Sequence, residues 1–232
     1  MAAELIVALD TDDLETARRW VAQLSGTIGW FKVGLELFSR HGPAACRLVT
    51  ESGGRLFLDL KVHDIPATAA GAARSARQLG ARMMTLHASG GRAMLEAARA
   101  EAGSQLVPAA VTVLTSLDDE ELGRVGVPRA PAEQVLLLAE LAYAAGLRAI
   151  VCSPHEIKLV RERFAGRPLE LVVPGIRPAD HARPDDQRRT LTPAAAAAAG
   201  ADFLVVGRPI TRAPDPAAAA AAIAAEIRKG AV

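Results

Sequence analysis

Short apolar runs recur along the chain, each rich in β-branched residues and bounded by turn residues. Eight such runs are present, at residues 5–9, 28–33, 55–60, 83–86, 107–114, 149–152, 169–173 and 203–206. The 232 residues leave about 29 for each run and the segment after it, enough for one strand, one helix and two short loops. Strands that alternate with helices pair in parallel, so the pattern predicts an α/β fold.

Helix signals in the intervening segments support this alternation. Asp13 precedes one helical segment, Pro66 opens an alanine-rich run that stops at Gly80, and Pro216 begins the last one. Eight strand–helix units favour a closed (β/α)8 barrel, the TIM barrel, over an open doubly wound sheet, whose Gly-x-Gly-x-x-Gly fingerprint the sequence lacks. Because no change of composition and no linker divides the chain, we expect a single domain over residues 1–232.

The composition argues against several partners. A formal net charge of +1 lacks the basic surplus that nucleic acids attract, and 3% aromatic residues offer no base-stacking platform. No apolar stretch is long enough to span a bilayer, so we expect no membrane partner. Cys46 and Cys152 are too few for a disulfide scaffold and indicate a reducing compartment. Since the first residues contain neither a basic region nor a cleavage-like site, we expect a cytoplasmic protein.

Polar residues follow the predicted strands, at the end where TIM barrels carry their chemistry. These strand-end residues are Asp10, Lys32, Asp59, Lys61, His87, Thr115, Ser116, Ser153, Arg177 and Arg208. The chain has only four lysines, and two of them belong to this set. A random scatter also places some polar residues at strand ends, so the set as a whole, rather than any one member, predicts a site.

The densest group of charges is the segment Asp-Leu-Lys-Val-His-Asp at residues 59–64. Residues i and i+2 of a strand point to the same side, so Asp59 and Lys61 are expected to face the barrel mouth while Leu60 packs outward. They are either catalytic or a structural ion pair. Asp64 lies just before Pro66 and is either a site residue or the N-terminal cap of the next helix.

The ends of the last two predicted strands have the composition of a phosphate site. Gly175 and Gly207 let backbone N–H groups approach an anion, and Arg208 supplies a cationic fork, unless these are turn glycines beside a surface arginine. The long polar connection at residues 177–192 is either a cover over an anionic ligand or a solvated surface loop. The five histidines lack metal-ligand spacing, so we expect no metal site.

Several segments together resemble the orotidine 5′-phosphate decarboxylase family. Residues 57–68, Phe-Leu-Asp-Leu-Lys-Val-His-Asp-Ile-Pro-Ala-Thr, are similar to the family's signature. Further similar segments follow the family's order at residues 7–10, 31–34, 111–116, 173–178, 187–189 and 206–211. The signature alone also occurs in a wider group of sugar-phosphate decarboxylases and aldolases, whereas the whole set is specific to the family.

The resemblance implies decarboxylation of orotidine 5′-phosphate to UMP, without a cofactor, by a homodimer with shared active sites. It implies Lys61 as the proton donor to C6, Asp59 against the substrate carboxylate, and a catalytic set completed by Lys32 and Asp64. The other implied contacts are Asp10 and Lys32 at the ribose, Thr115 at the pyrimidine, Arg177, Gln187, Gly207 and Arg208 at the phosphate, and Asp64, Ile65 and Thr68 in the neighbouring subunit's site.

Two other functions compete with this one. Metal-dependent 3-keto-L-gulonate 6-phosphate decarboxylases and hexulose-phosphate aldolases share the barrel, but they carry a Mg²⁺-binding carboxylate at the second strand end, where this chain has Lys32. A non-catalytic phosphate-binding barrel would be expected to lose Lys61 or Asp59 first, and both are present.

Overall fold

Eight parallel strands close into a barrel in the computed structural model, which describes residues 3–178 and 190–230. The strands are β1 (Glu4–Ala8), β2 (Trp30–Gly34), β3 (Arg55–Val62), β4 (Ala81–His87), β5 (Val107–Val111), β6 (Ala149–Val151), β7 (Glu170–Val173) and β8 (Phe203–Val206). Each strand pairs with the next, and β8 pairs with β1, with Val206 opposite Val7. The predicted (β/α)8 TIM barrel is confirmed.

Helices connect successive strands around the outside of the barrel. They are α1 (Leu14–Leu24), α2 (Leu35–His41), α3 (Pro43–Glu51), α4 (Pro66–Gln78), α5 (Arg92–Ala102), α6 (Asp119–Arg124), α7 (Pro131–Ala144), α8 (Ile157–Arg163), α9 (Pro193–Ala199), α10 (Arg208–Thr211) and α11 (Pro216–Gly230), with 3₁₀ turns at Ala88–Gly90 and Pro154–Glu156. The side chain of Asp13 accepts the Glu15 and Thr16 N–H groups and so caps α1 as predicted. Within the described ranges, no helix is long and apolar enough to cross a membrane.

Some predicted strand boundaries are wrong by a few residues, for local reasons. The run at 28–33 begins as a strand only at Trp30, because the Ile28 N–H still bonds to the Leu24 carbonyl at the end of α1. The run at 107–114 ends as a strand at Val111, and Val113 beyond it is nevertheless buried. An apolar run therefore marks burial, whereas the strand ends where the pairing ends.

The alternation of side chains along each strand separates two apolar layers. Residues of one parity pack between the strands and the helices, as Val7 and Phe31 do. Residues of the other parity fill the barrel interior: Ile6, Ala8, Trp30, Phe57, Met83, Ala109, Ala149, Val172, Phe203 and Val205. Two residues further along the same inward rows come Asp10, Lys32, Asp59 and Thr85. These polar and charged side chains therefore lie directly above the apolar residues that fill the barrel interior.

Candidate active site

Four alternating charges lie above the apolar interior, and we refer to Asp10, Lys32, Asp59 and Lys61 as the charged layer. Lys32 Nζ lies 2.9 Å from Asp10 Oδ1 and 3.3 Å from Asp59 Oδ2. Lys61 Nζ lies 2.9 Å and 3.0 Å from the two Asp59 carboxylate oxygens. Asp59 and Lys61 therefore share one side of β3, as predicted, while Leu60 packs in the outer apolar layer.

These contacts determine the protonation of the buried members, since Lys32 and Asp59 are each only 8% exposed. Burial alone would lower the pKa of Lys32, but the Asp59 and Asp10 carboxylates outweigh it and raise that pKa above its usual value. Burial alone would raise the pKa of Asp59, but Lys32 and Lys61 outweigh it and lower that pKa. Both groups are consequently charged at neutral pH.

Lys61 stands on an irregularity of β3 that the sequence pattern does not reveal. Leu58 pairs with Met84 and Val62 with Leu86, so β3 carries extra residues between two points of regular pairing with β4. Among described residues other than glycine, Lys61 alone has a positive φ, of 49°. This left-handed conformation costs an ordinary L-residue about 1 kcal/mol or more, so surrounding contacts must hold it.

Thr85 of β4 supplies two such contacts, and the sequence analysis did not single it out. Its Oγ1 accepts the Lys61 backbone N–H at 2.9 Å and donates to Asp59 Oδ1 at 2.8 Å. A polar residue inside an apolar strand, two positions before His87, was the signal available in the sequence.

Gly34 is a second residue that sequence reasoning did not assign to the site. A Cβ atom built on Gly34 would lie 2.9 Å from Lys32 Nζ and 3.3 Å from Asp10 Oδ1. A side chain there would press against the Lys32 ammonium where it meets its carboxylates, which favours glycine at this position.

A cavity of about 340 Å³ opens over the charged layer at the carboxyl ends of the strands. Its walls include Thr115, Arg177, Gly207 and Arg208, together with apolar residues such as Val151. The structure thus brings eight of the predicted site residues to one cavity, with Asp10, Lys32, Asp59 and Lys61 on its floor. Gln187 lies outside the described residues.

The two glycines of the predicted phosphate site have different surroundings. Gly207 lines the cavity, and a Cβ atom there would lie 3.4 Å from Asp10 Oδ2, an ordinary contact distance. Gly175 is not part of the lining; it has a φ of 78°, and its carbonyl accepts the Leu191 N–H. Gly175 therefore has the conformation of a turn glycine, and anion binding at Gly175 and Gly207 stays a prediction.

The sequence matches the family described as Orotidine 5'-phosphate decarboxylase / HUMPS family over residues 3–223. The chain belongs to this family. The Orotidine 5'-phosphate decarboxylase of Thermobifida fusca (strain YX) is 55% identical over 232 residues, with 99% of this chain and 97% of that protein covered. That of Moorella thermoacetica is 54% identical, with 97% and 92% covered. The solved structure of Orotidine 5'-phosphate decarboxylase from Lactobacillus acidophilus is 38% identical, with a TM-score of 0.85 over 97% of this chain and 99% of that one.

The description of the Orotidine 5'-phosphate decarboxylase / HUMPS family carries two names. Whether the site of this chain could hold a divalent metal ion depends on the ligands that its residues offer. The Lys32 ammonium lies between Asp10 and Asp59, where it neutralises the two carboxylates that would otherwise attract a divalent cation. Across residues 3–178 and 190–230, no group of three or more His, Cys, Asp or Glu side chains is arranged to hold a metal ion. The donor set therefore does not fit Mg²⁺.

Three predicted site residues, Asp64, Ile65 and Thr68, lie apart from this cavity, in the exposed segment that enters α4. Asp64 is not the N-terminal cap of that helix, a position that Ile65 occupies without a side-chain cap. The Asp64 carboxylate instead accepts the Ile65 N–H at 2.6 Å. Ile65 itself is 66% exposed, which is unusual for a large aliphatic residue.

Proposed function

We propose that this chain decarboxylates orotidine 5′-phosphate to UMP, in de novo pyrimidine synthesis, with neither a metal nor an organic cofactor. The observation that carries the proposal is the buried contact of Asp59 with two ammonium groups on the floor of a cavity that Arg177 and Arg208 also line. A cation beside a fixed carboxylate, with two arginines in the same cavity, suits a substrate that carries both a carboxylate and a phosphate.

Lys61 is the acid in the proposed reaction. The bond between C6 and the carboxylate carbon breaks, CO₂ leaves, and the electron pair stays on C6 as a poorly delocalised carbanion. The Lys61 ammonium stabilises that charge through space and then transfers one proton to C6, after which solvent restores the lysine proton. Because Asp59 holds the Lys61 ammonium at 2.9 Å, the donor is oriented before substrate arrives.

Asp59 has a second effect, on the substrate carboxylate. Two carboxylates about 4 Å apart repel by roughly 4 kcal/mol at an effective dielectric constant of about 20, and departure of CO₂ removes that repulsion. Since the Lys61 ammonium acts on the charge that develops in the transition state, we assign it the larger share of the rate acceleration.

The rest of the cavity positions the substrate. We assign the ribose hydroxyls to Asp10 and Lys32, the pyrimidine to Thr115, and the phosphate to Arg177, Gln187, Gly207 and Arg208. The cavity of about 340 Å³ is within the usual size range of small-ligand sites. Phosphate binding far from C6 supplies energy that orients the reacting end.

We also propose a homodimer in which Asp64, Ile65 and Thr68 complete the partner's site. All three are exposed and lie outside their own chain's cavity, and Ile65 presents an apolar side chain that a partner surface would cover. Cys46 and Cys152 are both buried, and two cysteines are too few for a disulfide scaffold, which supports a reducing, cytoplasmic location for this small-molecule enzyme.

Mixing two inactive variants, Lys61→Ala and Asp64→Ala, tests the shared site. In a mixed dimer, one site receives both defects and the other receives an intact Lys61 and an intact Asp64. Random reassembly makes about half of the dimers mixed, so activity should recover to about a quarter of the unmodified level. No recovery, with mixed dimers shown to form, would contradict the shared site.

The activity itself is tested by incubation with orotidine 5′-phosphate, following the loss of pyrimidine absorbance and the release of CO₂, with and without a chelator. We expect equal turnover in both samples and none with Lys61→Ala. Loss of activity on chelation would refute the cofactor-free mechanism, and failure to release CO₂ would refute the function.

A further inference from the structure

The hydroxyl of Thr85 links the two groups that the proposed reaction needs most. It is 1% exposed, and it touches the Asp59 carboxylate from one side and the Lys61 backbone from the other. The direction of both bonds is determined by chemistry. A backbone N–H can only donate and an ionised carboxylate can only accept, so the hydroxyl must accept from Lys61 and donate to Asp59.

The same hydroxyl replaces a missing strand–strand contact. Between the Leu58–Met84 and Val62–Leu86 pairs, β3 has residues without regular partners on β4. A buried N–H without an acceptor is costly, and Thr85 Oγ1 meets that need for Lys61. Lys61 can then keep its φ of 49°, the conformation in which its ammonium returns to Asp59.

We propose that Thr85 is a positioning residue, which orients the Asp59 carboxylate and stabilises the backbone conformation of Lys61 so that carboxylate and ammonium meet the substrate in a fixed geometry. The inference rests on the proposed function for its effect on catalysis, but the placement of Asp59 and Lys61 is a property of the substrate-free protein. Thr85 itself is not among the residues that line the cavity and would act through Asp59 and Lys61.

The variant Thr85→Val keeps the shape of the side chain and removes its hydroxyl. We expect a roughly 10- to 100-fold loss of kcat, as is typical when charged partners lose a hydrogen bond and a reacting group is displaced. KM should stay within about threefold, because the cavity-lining residues Arg177 and Arg208 are unchanged in this variant. Thr85→Ser retains the hydroxyl and should stay within about threefold of the unmodified protein in kcat.

A matched control comes from another buried threonine. Thr112 is 4% exposed, its hydroxyl donates to the Val151 carbonyl, and it does not line the cavity. Thr112→Val removes a buried hydroxyl in the same way, and we expect its kcat to stay within about threefold of the unmodified value. An equal loss of kcat in both variants would show a general effect of hydroxyl removal and overturn the proposal.

Two further comparisons make the result decisive. If Thr85→Val does not fold, Thr85→Ser and Thr85→Ala differ only by the hydroxyl, and equal kcat values in these two would overturn the proposal. Crystal structures of substrate-free Thr85→Ser and Thr85→Ala test the placement without any activity. We expect Lys61 Nζ to remain within about 4 Å of the Asp59 carboxylate in the serine variant and to leave it in the alanine variant. An unchanged Asp59–Lys61 contact in both would overturn the proposal even if the chain did not act on orotidine 5′-phosphate.

Discussion

The isosteric replacement Asp59→Asn tests how strongly the charged layer depends on its central carboxylate. Asp59 is almost fully buried and contacts the ammonium groups of Lys32, at 3.3 Å, and Lys61, at 2.9 Å. The neutral amide would leave both cations without that carboxylate and would present an NH₂ group or an uncharged oxygen to them. We therefore expect the variant to lose both stability and decarboxylase activity.

The expected loss of stability follows from burial. Removing one partner of a buried ion pair typically costs about 3–5 kcal/mol, because the remaining charge is desolvated without compensation. Lys61, with its side chain 32% exposed, can turn toward solvent, whereas Lys32, at 11%, cannot. The structure thus favours the lower end of the range, about 3 kcal/mol, with Lys32 as the main source.

Asp10→Asn is the matched control. Asp10 contacts the same Lys32 ammonium at 2.9 Å, but its side chain is 55% exposed. Exposed ion pairs contribute about 1 kcal/mol or less, so this variant should unfold at nearly the same urea concentration as the unmodified protein. Urea unfolding at pH 7.5, followed by circular dichroism, compares the three proteins directly.

The pH dependence of the folding stability shows whether the ionised Asp59 carboxylate stabilises or destabilises the folded protein. Lys32 and Lys61 lower the pKa of Asp59 in the folded protein despite its burial, so its stabilisation is complete above the unfolded value of about 3.9 and disappears as the pH falls through the folded pKa. The stability difference between the unmodified protein and Asp59→Asn should therefore shrink below about pH 4. Equal losses in Asp59→Asn and Asp10→Asn at pH 7.5, or a difference that grows toward low pH, would refute the reasoning.

Lys61→Ala should fold and lose at least about 100-fold in kcat, as expected for a positioned acid; retention of more than about a hundredth of the activity would contradict that role. Arg208→Ala should lose about 10- to 100-fold in kcat/KM on orotidine 5′-phosphate but hardly change the slow reaction of orotidine, and an equal loss on both substrates would place Arg208 away from the phosphate. Glu170→Gln should raise the thermal midpoint at pH 7.5, because burial, with Asp202 and Glu4 nearby, raises the pKa of Glu170 and makes its charged form unfavourable. The gain should vanish as the pH falls below about 4.5, where the carboxyl is protonated in both states, and a constant gain would point to another cause.

The barrel could be predicted from the sequence because its signal is periodic and repeated. Each strand carries apolar side chains on both faces, and Pro66, Gly80 and Pro216 separate the helices from the strands. Such local patterns locate elements but not their pairing. The extra residues of β3 opposite β4 depend on contacts between segments about 25 residues apart, as between Lys61 and Thr85, which no local pattern records.

The site illustrates the same limit. The prediction that Asp59 and Lys61 share a side assumed a regular strand, in which residues i and i+2 point the same way. The two side chains do meet, but through a left-handed Lys61 whose N–H bonds to the Thr85 side chain instead of a backbone carbonyl of the neighbouring strand. The prediction of proximity was right and its geometric reason was incomplete. Thr85 and Gly34 were not singled out because their importance depends on neighbours that only the folded barrel supplies.

The charge balance of the layer explains how such a site can place a carboxylate beside an anionic substrate. Asp10 and Asp59 balance Lys32 and Lys61, so the charged layer on the cavity floor has no net charge to repel the ligand at a distance. In the proposed reaction, the negative charge moves from the substrate carboxylate to C6 while Asp59 stays ionised and holds the Lys61 ammonium. Replacing Asp59 with a neutral group would ease substrate binding, but it would also release the donor and leave the buried Lys32 with only the exposed Asp10 as its carboxylate partner in the charged layer. The same carboxylate is therefore unfavourable for the bound substrate and necessary for the acid that protonates the product.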